Sequence, residues 1–73
     1  MDFGQALEVI KKSGRVRRKG WNGKDMYLSM CWGGGFRDGY RIENFIYMKT
    51  AQDNIIPWLA SQSDMLSEDW ERC

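Results

Sequence analysis

The dipeptide Asn22-Gly23 constrains this chain more than any other pair of residues. Both residues tolerate positive φ, which a two-residue hairpin turn demands. Before it, Arg15–Lys19 carries four cations in five residues. After it, Met26–Trp32 alternates: Met26, Leu28, Met30 and Trp32 face one way, and Tyr27, Ser29 and Cys31 the other. A cationic strand, a tight turn and an alternating strand read as an antiparallel hairpin. Period-two alternation points Val16 inward with Arg18 beside it and puts Arg15 and Arg17 on the opposite face. A cation on the inner side needs a carboxylate or a ligand phosphate next to it.

The remaining segments supply partners for that hairpin. Asp2–Ser13 reads as a helix, with Phe3, Ala6, Leu7 and Ile10 in one apolar stripe and an Asp2/Gln5 capping pair. Lys11 and Lys12 suit its C-terminal end, and Gly14 is the expected left-handed stop. Gly33–Gly39 lacks a phosphate-loop pattern and reads as a flexible hairpin loop, its tip residues Phe36 and Arg37 placed to close over a ligand. Tyr40–Lys49 reads as a second strand, Thr50–Asn54 as a polar turn, and Ile55-Ile56 as a short strand ended by Pro57. Ser61 caps a short helix over Gln62–Ser67, with Met65 and Leu66 inward, and Trp70–Arg72 is a terminal strand or tail. The expected fold is α+β: one domain over residues 1–73, with an N-terminal helix packed on a small antiparallel β-sheet and a short second helix near the C-terminus.

A chain of 73 residues has a marginal core. It carries ten aromatic residues, four of them Trp, more than so small a core easily buries. The surplus belongs at subunit contacts or in a pocket, which points to a homo-oligomer. A net charge of +1 argues against general nucleic-acid binding, and no apolar run approaches the length of a membrane span. There is no histidine, and Cys31 and Cys73 lie far apart. Zinc ligation and an activated nucleophile are therefore disfavoured, and a reducing cytoplasm is the default. Asp53, Asp64, Glu68 and Asp69 cluster in the last third without a recognisable reaction pattern.

These exclusions favour a binding module without metal, cofactor or turnover. Its working parts would be the aromatic faces of Trp21, Trp58 and Tyr47, the guanidinium groups of Arg17 and Arg18, and the polar groups of Asn22, Thr50 and Asp53. Cations, aromatics and turn glycines together suit a small, flat, negatively charged ligand. The same residues also make an ordinary solvated strand, a turn and a core tryptophan.

Two longer blocks resemble one family. DFGQALEVIKKSGRVRRKGWNGKDMYL is similar to the opening of short phage and prophage proteins with a FGEAL-like helix and a V-x-R-x-GWNGK segment. MKTAQDNIIPWLASQSDMLSEDW is similar to their ending, with its PW, S-x-x-D and DW motifs. This is the family that includes the second Thoeris anti-defence protein. The resemblance implies a homotetramer, or at least a dimer, with pockets between protomers, acting in the cytoplasm of an infected bacterial host. It implies a sponge that holds the cyclic ADP-ribose isomer of Thoeris immunity intact, or the cyclic dinucleotides of CBASS immunity. Carried over by motif, Trp21 stacks on a base, with Trp58 in the matching PW motif. Arg17 and Arg18 meet phosphates, and Asn22, Thr50 and Asp64 read base or ribose edges. Pro57 and Trp70 are assigned to structure. The middle of the chain, about residues 29–46, is unmatched, short and glycine-rich. Asp25 and Gln52-Asp53 also depart from the family pattern. Two rivals remain: a protein that blocks a host protein directly, and an enzyme that degrades the signal.

Overall fold

In a computed structural model, the structure describes residues 1–21 and 25–73. Helix α1 spans Phe3–Lys11. Its first turn is closed reciprocally: the Gln5 amide donates to Asp2 Oδ1 at 2.8 Å, and the Asp2 amide donates to Gln5 Oε1 at 2.9 Å. The buried stripe is Ala6, Val9 and Ile10, with Phe3 and Leu7 only half-buried at its margin. Ser13, not Gly14, takes the left-handed position that ends the helix, at φ 67°. Its amide donates to the Ile10 carbonyl, and its hydroxyl accepts the Trp32 indole N–H at 2.9 Å, which holds it there. Gly14 serves instead by packing tightly against Val9.

Five strands form one antiparallel sheet. They are β1 (Val16–Arg18), β2 (Tyr27–Cys31), β5 (Phe45–Lys49), β6 (Ile55–Pro57) and β7 (Trp70–Arg72), in spatial order β6-β5-β2-β1-β7. The pairing Val16↔Leu28 makes β1 and β2 antiparallel neighbours, as the alternation requires. The Asn22-Gly23 turn itself lies outside the described residues. Helix α1 covers one face, where Ala6, Val9, Ile10, Val16, Leu28 and Trp70 form the core. Trp70 is 1% exposed and is the centre of an aromatic cluster. The rings of Phe3, Trp21 and Trp58 stand 5.5, 5.6 and 6.0 Å from it, and its indole N–H donates to the Asp64 carbonyl at 3.0 Å.

The expected strand over Tyr40–Lys49 is broken, and the glycine-rich loop is an ordered hairpin. Strands β3 (Phe36–Arg37) and β4 (Tyr40–Arg41) pair with each other alone. Asp38 and Gly39 turn the chain with φ of 52° and 82°, both positive as a type I′ turn requires. Helix α2 (Gln62–Leu66) has its own Ser61/Asp64 capping box. Met65 and Leu66 were expected inward but are exposed, because α2 is little more than one turn and leans on α1 through few residues. No helix among the described residues is long and apolar enough to cross a membrane.

Both sheet edges are blunted. At the β6 edge Pro57 has no N–H to offer. At the β7 edge Trp70 exchanges bonds with Met1, the Met1 amine donating to the Trp70 carbonyl at 2.8 Å.

A cationic cleft on the open sheet face

Alternation gives the second sheet face to Arg15, Arg17, Tyr27, Tyr47, Lys49 and Cys73, and among the described residues no helix covers it. A cleft of about 450 Å³ lies there, lined by Arg15, Arg17, Asp25, Met26, Tyr27, Lys49 and Cys73. That volume falls within the usual range for small-molecule sites. Its floor is the Tyr27 ring, with the Arg15 guanidinium 4.4 Å from the ring centroid. Arg15 has no carboxylate partner among the described residues.

The neighbours of Arg15 and Tyr27 shape the site. Tyr47 meets Tyr27 edge-on at 6.2 Å, and burial, then the nearby Tyr27, pushes the Tyr47 hydroxyl pKa up. Arg17 Nε donates to Glu71 Oε1 at 3.0 Å across the β1–β7 pair. Lys49, opposite Tyr27 in register, pairs with Asp53, which raises its pKa and keeps it charged. Burial also pushes the Cys73 thiol up, away from the reactive thiolate. Arg15, which has no carboxylate partner among the described residues, can hold a phosphate oxygen while a base lies on the ring or on the guanidinium plane; Arg17 and Lys49 can join it only by sharing or releasing Glu71 and Asp53.

Of the residues singled out in the sequence, Arg17 lines this cleft and Tyr47 borders it. Arg18 projects to the helix-covered side, where Nη1 donates to Asp64 Oδ1 at 3.0 Å and Nε donates to Asp69 Oδ1 at 2.9 Å. The carboxylate demanded there by a part-buried cation is thus supplied twice. Asp64 Oδ2 takes the Ser61 hydroxyl and amide, so both its oxygens serve the fold. Trp21 and Trp58 are half-buried around Trp70. Thr50 ties the β5–β6 turn, its amide donating to the Asn54 carbonyl at 2.8 Å and its carbonyl accepting the Asp53 amide at 3.0 Å. Asn22 lies outside the described residues. The sequence reading did not single out Arg15, Tyr27 or Lys49. Alternation already grouped Arg15 with Arg17 and turned Tyr27 away from Met26, whereas Lys49 joins them only through the Tyr27↔Lys49 pairing.

The fold and cleft together define a small α+β domain with one face of its sheet left open and cationic. Over residues 1–73 the chain matches the family described as the Thoeris anti-defense 2-like domain. It is similar to the protein named Thoeris anti-defense 2 of Bacillus phage SP01, with 43% identity over 82 aligned positions, 97% of this chain and 92% of that one. The aligned span exceeds the length of this chain, so the relative carries inserted residues within it. The chain belongs to the Thoeris anti-defense 2-like family.

Proposed function

We propose that this protein counters Thoeris immunity in the cytoplasm of an infected host by binding the cyclic ADP-ribose isomer that serves as its signal and holding it unaltered. The observation that carries this reading is the Arg15–Tyr27 stack, flanked by Arg17 and Lys49 in an open cleft of ligand size. Family membership and the name of the phage relative support the choice of system.

In this reading the cations take the pyrophosphate and Tyr27 takes the adenine. Trp21 and Trp58 brace the sheet through Trp70, and the Arg18–Asp64–Asp69 cluster and Thr50 set strand and turn positions. Stacking and charge-assisted bonds mainly slow dissociation, which is what sequestration needs. No turnover is required, and the chain has no histidine for acid–base work. Two or four copies with pockets between protomers complete the assembly.

The test is a titration with the isomer and, separately, with a cyclic dinucleotide, each at low and high salt. Phosphate capture predicts that Arg15→Ala and Arg17→Ala weaken binding most at low salt. Equal loss at both salt levels would remove the phosphate role. Tighter binding of the dinucleotide would move the signal to CBASS. Binding of neither would favour direct blockade of a host protein.

A further inference from the structure

The three cations of the cleft are not equally available. Arg15 has no carboxylate partner among the described residues, whereas Arg17 and Lys49 each have one. The two ion pairs are built differently. Arg17 and Glu71 are direct partners in the β1–β7 register, and the bond uses the Arg17 Nε. A guanidinium spreads five donors over a planar fork, so the terminal nitrogens can take a phosphate oxygen while Nε keeps Glu71.

Lys49 has no such fork. Its ammonium is a compact point charge, and two anions crowded on it repel each other. The Lys49 side chain is 18% exposed, whereas that of its partner Asp53 is 80% exposed. Asp53 reaches Lys49 from the β5–β6 turn and is not itself part of the cleft lining. That turn is fixed without the carboxylate, through the Thr50 and Asp53 amides and the carbonyls of Asn54 and Thr50. Among the described residues the Asp53 side chain makes no other ion pair or hydrogen bond. It is the largest influence raising the Lys49 pKa, against the burial that lowers it.

A part-buried ammonium needs an anion beside it, and in the empty cleft Asp53 supplies one. An exposed carboxylate held by one weak ion pair can also leave at small cost. We propose that Asp53 is a displaceable counter-ion: it holds Lys49 in the empty cleft and yields it to a phosphate of the entering ligand, so that a carboxylate outside the cleft limits affinity inside it. Which ligand enters rests on the reading above, but any pyrophosphate-bearing molecule meets the same competition. One of the carboxylates that formed no reaction pattern in the sequence thereby has a task.

The test is a double-mutant cycle in binding. Asp53→Asn removes the charge and keeps the turn, since asparagine tolerates the left-handed φ of 63° found there. Lys49→Met removes the ammonium and keeps an apolar stem. At low salt Asp53→Asn should bind the cyclic ADP-ribose isomer about two- to fivefold more tightly than the wild type, and the gain should shrink at high salt. In the Lys49→Met background the same change should do almost nothing. Unchanged or weaker binding by Asp53→Asn, or an equal gain with and without Lys49, overturns the proposal.

A wild type that binds no isomer removes the ligand reading, and inorganic pyrophosphate then takes the isomer's place. The side-chain NMR signal of Lys49 should move as pyrophosphate is added, and should half-saturate at lower concentration in Asp53→Asn. That result keeps the counter-ion without the isomer. A Lys49 signal that does not move, or that half-saturates equally in both proteins, overturns it.

Discussion

Arg18 and Trp70 stand opposite each other across the β1–β7 ladder, and each holds Asp64. Arg18 takes a carboxylate oxygen at 3.0 Å, and the Trp70 indole N–H takes the backbone carbonyl at 3.0 Å. One residue of α2 is thereby fixed to two adjacent strands, and the aromatic cluster is closed from above.

Trp70→Ala should remove the centre of the core. Truncating a buried Trp costs about 3–5 kcal/mol, against a total of about 5–15 kcal/mol for an ordinary domain. Thermal melting by circular dichroism should show a loss of tens of degrees or no folded state at all. Trp70→Phe should retain a cooperative melt at lower temperature, since it keeps a ring but loses the bond to Asp64.

The Arg18 cluster should make stability depend on acid. The Arg18 bond holds the Asp69 carboxyl below its usual 3.8. Burial pushes Asp64 upward, but the Ser61 donors and then Arg18 outweigh it and leave it below 3.8 as well. A depressed folded pKa stabilises above the unfolded value, and the gain is lost as pH falls through the folded one. Urea midpoints should therefore hold from neutral pH to about 4 and drop below it. Asp69→Asn should start lower at neutral pH and fall less on acidification.

Trp21 and Tyr27 should separate fold from site. Trp21 is half-buried and edge-on to Trp70, an aromatic contact worth about 0.5–1.5 kcal/mol beyond its area. Trp21→Ala should lower the melting temperature by several degrees, whatever it does to binding. Tyr27→Ala gives up its own edge-on contact with Tyr47 and should melt lower by a similar amount, but it should also weaken ligand binding by about 1–3 kcal/mol. A Trp21→Ala protein that melts normally and cannot bind would return the base to Trp21.

Gly33→Ala should loosen the hairpin without touching the core. A Cβ there would fall 2.2 Å from the Ile42 carbonyl oxygen, and that backbone cannot give way while the pairing persists. Hydrogen exchange should show lost protection at Gly34 and Ile42, with the β2–β5 ladder unchanged.

Local signals made much of this fold legible. The Asp2/Gln5 and Ser61/Asp64 capping boxes mark both helix starts, and strict alternation marks β2. Asp38-Gly39 is as strong a hairpin signal as Asn22-Gly23, but it sits inside a glycine-rich stretch and reads as loose. Beyond the β1–β2 hairpin, what pairs with what was not legible. Nothing near Trp70 in the sequence shows that its strand returns beside β1 after fifty residues, so its place at the centre of the core was hidden. For the same reason Trp21 and Trp58 read equally well as platforms or as packing. The Arg15, Tyr27 and Lys49 cleft needs two strand pairings before its members meet, whereas Arg17 was visible from β1 alone.

The central claim is tested most directly by capture and release. The purified protein is mixed with the Thoeris cyclic ADP-ribose isomer and filtered, and the retained protein is heated. Mass spectrometry is then run on the filtrate and on what heating frees. The account predicts isomer depleted from the filtrate and recovered unchanged on heating, with Tyr27→Ala leaving it in the filtrate. Chemically altered isomer, or isomer that passes through beside the wild-type protein, would contradict it.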